Sequence, residues 1–147
     1  MSKIIIGIDP DSKAHGVAVY EDGKLVGLSG LELTQFIYMI PIWKAKGSIE
    51  VHIEDVNAVS AAFNARDRKT NINVKLKMAQ HIGMCKQSQI ELERLFFSEH
   101  ITPVKHKISK VWKKDKAQFE RVTGWVGRSN EDTRSAAYFG WLRHFSP

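Results

Sequence analysis

Residues 3–20 read KIIIGIDPDSKAHGVAVY. Ile4-Ile5-Ile6-Gly7-Ile8 is an apolar run rich in β-branched residues, which predicts a buried central strand. That strand ends on Asp9, and a carboxylate there is costly to bury unless it is paired or binds a cation. Pro10, Asp11 and Ser12 turn the chain. Gly16-Val17-Ala18-Val19-Tyr20 starts a second strand, and Asp22-Gly23 is a hairpin signal before a third, Lys24 to Leu28. An acid ending a central strand, followed by a meander, is one way to hold a metal ion over a sheet. The other reading of Asp9 is a cap for the turn that follows it.

Working outward, Thr34 is a fair N-cap for a helix running to about Lys46, which Pro41 should kink or divide and Gly47 should end. Ser48 to Asp55 alternates, with Ile49, Val51 and Ile53 on one side and Glu50, His52 and Glu54 on the other. It predicts a fourth strand that again ends on acid, Glu54-Asp55. Strand, helix, strand is a crossover, so the fourth strand should lie parallel to the first. Val56 to Asn73 has no clean period and reads as an ordered loop or short helix; Phe63 among Arg66, Arg68 and Lys69 suits a nucleic-acid backbone with a base to stack on. The alternative is a surface loop with Phe63 turned into the core.

Asn73 to about Ser98 predicts the longest helix, packed on the sheet through a face that includes Leu76, Ala79, Ile90, Leu92, Leu95 and Phe96. Ala79 and Gly83 give it a small-residue seam suited to pairing with a second copy of itself. His81, Met84 and Cys85 read as packing residues. Ile101 to Val104 is a short fifth strand, with Pro103 suiting an edge or a strand start. A basic run from Lys105 to Lys116 leads into a helix over about Lys114 to Trp125. Ser129-Asn130-Glu131-Asp132 starts the last helix, Thr133 to about His144.

The 147 residues fit one domain, residues 1–147, of globular composition: 43% are hydrophobic and 26% charged. No apolar run is long enough to span a membrane, and the N-terminus lacks the apolar core of a signal peptide. The single cysteine, Cys85, excludes an internal disulfide, and no Cys/His set has zinc spacing. A reducing, cytoplasmic setting is expected. A net charge of +6 fits a polyanionic partner, and Lys105, Lys107, Lys110, Lys113, Lys114 and Lys116 concentrate that charge within twelve residues. Binding through such a run and through Arg66, Arg68 and Lys69 should be strongly salt-dependent.

Three acids end or begin elements: Asp9, Glu54 and Asp132. Parallel first and fourth strands make Asp9 and Glu54 neighbours, and a helix start can face them. Converging carboxylates repel unless a cation neutralises them. Hard oxygen ligands suit Mg²⁺ or Mn²⁺, and two such ions about 4 Å apart can drive phosphodiester hydrolysis. A salt bridge would also explain Glu54, and capping alone would explain Asp132.

The order of these motifs resembles the RuvC family of Holliday junction resolvases. Ile5-Ile6-Gly7-Ile8-Asp9-Pro10-Asp11-Ser12 with Gly16-Val17-Ala18-Val19 is similar to its GIDPGS…G opening, and Ile53-Glu54-Asp55-Val56 to its IEQVF-type segment. Leu76 to Gly83 is similar to its LKLGQARG helix start, and Pro103-Val104-Lys105 to the strand entering its basic loop. Asp132-Thr133-Arg134-Ser135-Ala136-Ala137 sits where the family has an acid, two residues, a second acid and a small residue. The resemblance implies an α/β ribonuclease H-like fold: a mixed five-stranded sheet with a three-strand antiparallel meander, flanked by helices. It implies a homodimer and two-metal, Mg²⁺-dependent cleavage of branched DNA, with Mn²⁺ as a substitute. Asp9, Glu54 and Asp132 would be catalytic metal ligands. A lysine of the basic run would be catalytic, with Lys105, Lys107 and Lys110 as candidates that the resemblance does not separate and Lys107 taken first. Phe63 would meet the junction core, and Arg66, Arg68, Lys69, Lys105, Lys110, Lys113 and Lys114 would bind DNA.

Two departures stand out. Ser135 replaces the second acid of the last motif, leaving Glu131 or Asp55 to make up a fourth carboxylate, and Asp11 replaces a glycine of the first turn. The divergence and compact length look more like phage and plasmid members, acting in the host cytoplasm and cutting branched DNA more broadly. Two rival readings keep the fold: an RNA-processing nuclease, and a non-catalytic DNA-binding protein, which Ser135 favours.

Overall fold

The run at residues 4–8 forms the middle of β1 (Ser2–Asp9), the central strand of a five-stranded sheet. A computed structural model of the chain describes residues 1–58 and 71–145. β2 (His15–Glu21) and β3 (Lys24–Leu31) follow as an antiparallel meander, and β4 (Gly47–Glu54) and β5 (Val104–His106) lie parallel on the other side of β1. The order is β3-β2-β1-β4-β5. This is the mixed sheet and ribonuclease H-like arrangement expected from the sequence.

β1 is apolar at successive positions because both of its faces are covered. Ile4, Ile6 and Ile8 pack against Phe36, Ile40 and Trp43 of α1 (Leu33–Lys46) and Leu92 and Phe96 of α2 (Ile72–Ser98). Ile5 faces the other layer, with Phe119 of α3 (Lys116–Thr123) and Ala136 and Ala137 of α4 (Glu131–Trp141). Burying each isoleucine contributes about 1.5–3 kcal/mol. That burial holds Asp9, the next residue on the α4 face after Gly7, on a rigid strand.

Glycine sets the distance between β1, β2 and α4. A Cβ at Gly7 would run into the Ala136 carbonyl oxygen, and one at Gly16 into the Asp132 carbonyl oxygen. The first and last thirds of the chain therefore meet backbone to backbone.

Several boundaries differ from the sequence reading. α1 begins at Leu33, capped by Glu32 rather than Thr34, with Gln35 completing a capping box. Pro41 lies inside it without dividing it, because Phe36, Ile40 and Trp43 on either side of the proline are buried on the sheet. β5 starts at Val104, just past Pro103. α3 is shorter than expected, and Glu131 and Asp132 belong to the first turn of α4, whose cap is Asn130. The long helix packs on the sheet through its C-terminal part, where Gln89, Leu92, Glu93 and Phe96 are buried. Leu76 is exposed, and so are Met78, His81 and Met84.

Candidate active site

Asp9 and Glu54 are brought together by strand register. Ile8 pairs with Ile53 in the parallel β1–β4 ladder, and the next residue on each strand is the acid. Both are buried, on the α4 face of the sheet. Asp132 arrives by a different route. Asp9 pairs with Gly16 across the antiparallel ladder, and the first turn of α4 rests on Gly16 through the Asp132 backbone. Asp132 itself is exposed at the rim.

Among the described residues, hydrogen bonds leave one oxygen of each buried acid unsatisfied. Asp9 Oδ2 and Glu54 Oε2 are buried with no hydrogen-bond partner, and so is Ser135 Oγ. Burial raises the Asp9 pKa, Lys113 opposes that, and Asp132 adds to it. Burial, then the Asp9 charge, pushes Glu54 up to about 8. The other acid on this face of β4 behaves differently. Glu50 is held by Lys3 at 3.3 Å, by Arg143 at 2.8 Å and by His52 at 2.8 Å. Glu50 has structural partners; Glu54 has an open oxygen. Orphaned carboxylate oxygens facing a third acid fit a hard divalent cation.

A cation of the chain itself already leans on this group. Lys113 Nζ lies 3.5 Å from Asp9 Oδ2, and Asp9, Glu54 and Asp132 together outweigh burial and raise its pKa. Its placement is built. Trp112 has φ of +68°, a left-handed backbone that a bulky residue adopts only when its surroundings enforce it. The indole is buried against Phe119, Tyr138 and Trp141, with ring centroids 5.6, 5.4 and 5.3 Å away. The guanidinium of Arg134, itself buried, then clamps the turn. Nε donates to the Trp112 carbonyl at 2.9 Å, Nη2 to the Lys113 carbonyl at 2.6 Å, and Nη1 to Ser129 Oγ at 3.0 Å. α4 thus supplies Asp132 from its first turn and fixes Lys113 from its second.

Ser135, in the place of an expected acid, is buried in the site, where its hydroxyl helps favour the ionised form of Asp9 without meeting hydrogen-bond geometry. Asp55 is engaged elsewhere, accepting from Gln89 Nε2 at 3.0 Å and from the Asn57 amide at 3.1 Å. Glu131 is exposed and 3.9 Å from Lys114. Lys105 pairs with Glu93 at 3.1 Å, while Lys107, Lys110 and Lys114 are exposed on the surface around β5 and the following loop. Phe63, Arg66, Arg68 and Lys69 lie outside the described residues. Lys113, counted in the sequence among DNA-binding lysines, is the member of the run that reaches the acids. Nothing in the spacing of the run singles it out; its neighbour Trp112, a large apolar residue among lysines, is the signal that this point is anchored to the core.

Among the described residues, the three acids do not have their oxygens gathered within 4.8 Å of one another; the group that does meet that condition is Asp11, His81 and Cys85. No helix is long and apolar enough to cross a membrane among the described residues.

Two solved structures share this architecture. RuvC of Thermus thermophilus in complex with a Holliday junction substrate aligns with a TM-score of 0.62 over 97% of this chain and 93% of that one, at 10% identity. A second Thermus thermophilus RuvC structure aligns with a TM-score of 0.55 over the same shares, at 11% identity. The fold is that of RuvC. At the sequence level no family model and no curated protein matches the chain. The fold is thus shared at about one identical residue in ten.

Proposed function

We propose that the chain is a divalent-metal-dependent endonuclease that resolves four-way DNA junctions or related branched DNA. The observation that carries the reading is the pair of buried carboxylate oxygens of Asp9 and Glu54 that lack a hydrogen-bond partner, beside Asp132, at the carboxyl end of two parallel strands of a RuvC fold. Asp9 and Glu54 would hold the metal from the sheet and Asp132 from α4. When bound, two Mg²⁺ ions, or Mn²⁺ in their place, supply an activated water and charge stabilisation at the leaving oxygen. Lys113 stays charged and fixed beside Asp9, where it can offset the negative charge that develops on the scissile phosphate. Lys107, Lys110 and Lys114 offer exposed charge for backbone phosphates.

A homodimer suits a two-fold junction. The exposed apolar residues Ile72, Val74, Leu76, Met78 and Met84 on the projecting part of α2 are the surface that would form it.

The test is cleavage of a four-way junction, a linear duplex and an RNA–DNA hybrid in Mg²⁺ by the wild type and Asp9→Asn. The expected result is junction cleavage by the wild type, and unchanged junction binding without cleavage by the variant. Full cleavage by Asp9→Asn removes the assignment. Preferential cleavage of the hybrid shifts it to RNA, and binding without cleavage by the wild type leaves a DNA-binding protein on this fold.

A further inference from the structure

Asp11, His81 and Cys85 have no place in the site described above. Asp11 lies in the turn after β1, while His81 and Cys85 are one helical turn apart on α2, so they share a helix face. Cys85 Sγ is 3.6 Å from His81 Nε2 and 3.8 Å from Asp11 Oδ1, and His81 Nε2 is 4.0 Å from the same oxygen. A tetrahedral Zn²⁺ with its usual bond lengths puts sulfur, nitrogen and oxygen ligands about 3.3–3.6 Å apart. The two sulfur distances need to close by about 0.2 Å or less and the nitrogen–oxygen distance by about 0.6 Å, within the reach of side-chain rotation.

We propose that Asp11, His81 and Cys85 form a zinc site that ties the turn after β1 to α2. The donor set selects the metal. A thiolate and an imidazole favour Zn²⁺ and disfavour Mg²⁺, so this site and the carboxylate site draw on different ions. Two ligands four apart on a helix plus one from a distant loop is a common zinc arrangement, and it explains why no local Cys/His spacing announces it. Asp11 is already oriented: its amide donates to His15 Nδ1 at 3.1 Å, and its Oδ1 accepts from the Ser12 amide at 2.6 Å. His81 is exposed, which gives the ion a way in. Binding replaces the Cys85 S–H bond with a sulfur–zinc bond and releases that proton to solvent. Three protein ligands leave the fourth position for water.

The full chain, stripped with chelator and kept reduced, is titrated with Co²⁺ and then Zn²⁺. Cys85 is the chain's single cysteine, so a thiolate-to-cobalt charge-transfer band reports on it alone. The expected result is a band saturating at one Co²⁺ per chain, displaced by Zn²⁺. It is lost in Cys85→Ser and retained in Asp9→Asn and Glu54→Gln. Affinity should fall at least about tenfold in His81→Ala and in Asp11→Ala, since disturbing even an outer partner of a ligand costs about that much. Zn²⁺ should also raise the melting temperature of the wild type and leave that of Cys85→Ser unchanged. No thiolate band, saturation at one ion per two chains, unchanged affinity in His81→Ala, or loss of the band in Asp9→Asn would each overturn the site.

Discussion

Glu54→Gln in metal-free protein tests the physical basis of the site. The Glu54 pKa rises from 4.5 to about 8, chiefly through burial and the neighbouring Asp9 charge. The folded state then keeps a proton that the unfolded chain releases once pH exceeds 4.5. Stability therefore falls as pH rises between 4.5 and about 8, by at most about 1.4 kcal/mol per unit and about 5 kcal/mol over the window. That is a large part of the 5–15 kcal/mol typical of a domain. The histidines act in the opposite sense. His15 is lowered to about 4 and His52 and His106 are lowered too, all first by burial, so their contribution grows as pH rises towards 6.5 and is complete above it. Glutamine keeps the shape of Glu54 and cannot ionise. Urea unfolding with EDTA from pH 5 to 8.5 should show the wild type losing several kcal/mol relative to Glu54→Gln, most of it between pH 5 and 7, and the histidines, common to both proteins, cancel in the difference. Saturating Mg²⁺ should close the gap. Parallel pH profiles for the two proteins would refute the claim that Glu54 is a buried, uncompensated acid.

Lys113→Met removes the cation 3.5 Å from Asp9 and should lower junction cleavage about 10²–10³-fold with binding little changed, measured by single-turnover kinetics; an unchanged rate would move the catalytic role back to Lys107. Arg134→Met leaves the carbonyls of Trp112 and Lys113 without their donor and should cost about 3 kcal/mol in urea unfolding, with cleavage reduced even where the variant is fully folded. Rescue of stability without activity by Arg134→Lys would fit a clamp that must be forked. Gly16→Ala forces a methyl into the Asp132 carbonyl and should destabilise by about 1–3 kcal/mol. It should also reduce cleavage, because Asp132 is displaced from Asp9; full activity would show that the two need not be close.

Much of the fold was legible because β1 and β4 carry their own information. An apolar run that ends on acid, followed by a hairpin signal, fixes a central strand and a meander, and one crossover then makes Asp9 and Glu54 neighbours. What stayed hidden depends on contacts distant in sequence. Pro41 argues for a broken helix until the burial of Phe36, Ile40 and Trp43 is known. Leu76 and Met84 read as packing residues until α2 is seen to project beyond the sheet. His81 and Cys85 read as packing until Asp11 is found beside them. The basic run hides its one inward-facing lysine for the same reason.

The geometry of the proposed site rests on α4 more than on the strands that bear two of the acids. β1 and β4 would bring Asp9 and Glu54 together in any parallel pair of this register, and two buried acids alone only repel. α4 turns that repulsion into a site, because Gly7 and Gly16 let its backbone lie directly on the sheet. From that position its first turn adds Asp132, Ser135 lies close enough to influence Asp9, and Arg134 holds the left-handed turn at Trp112 that delivers Lys113. Ser135 has no charge to add to a site already crowded with three acids and one lysine. Replacing an acid there by a hydroxyl lowers the repulsion that metal must offset while keeping a polar group on Asp9, so the departure at position 135 is consistent with a working metal site built from fewer carboxylates.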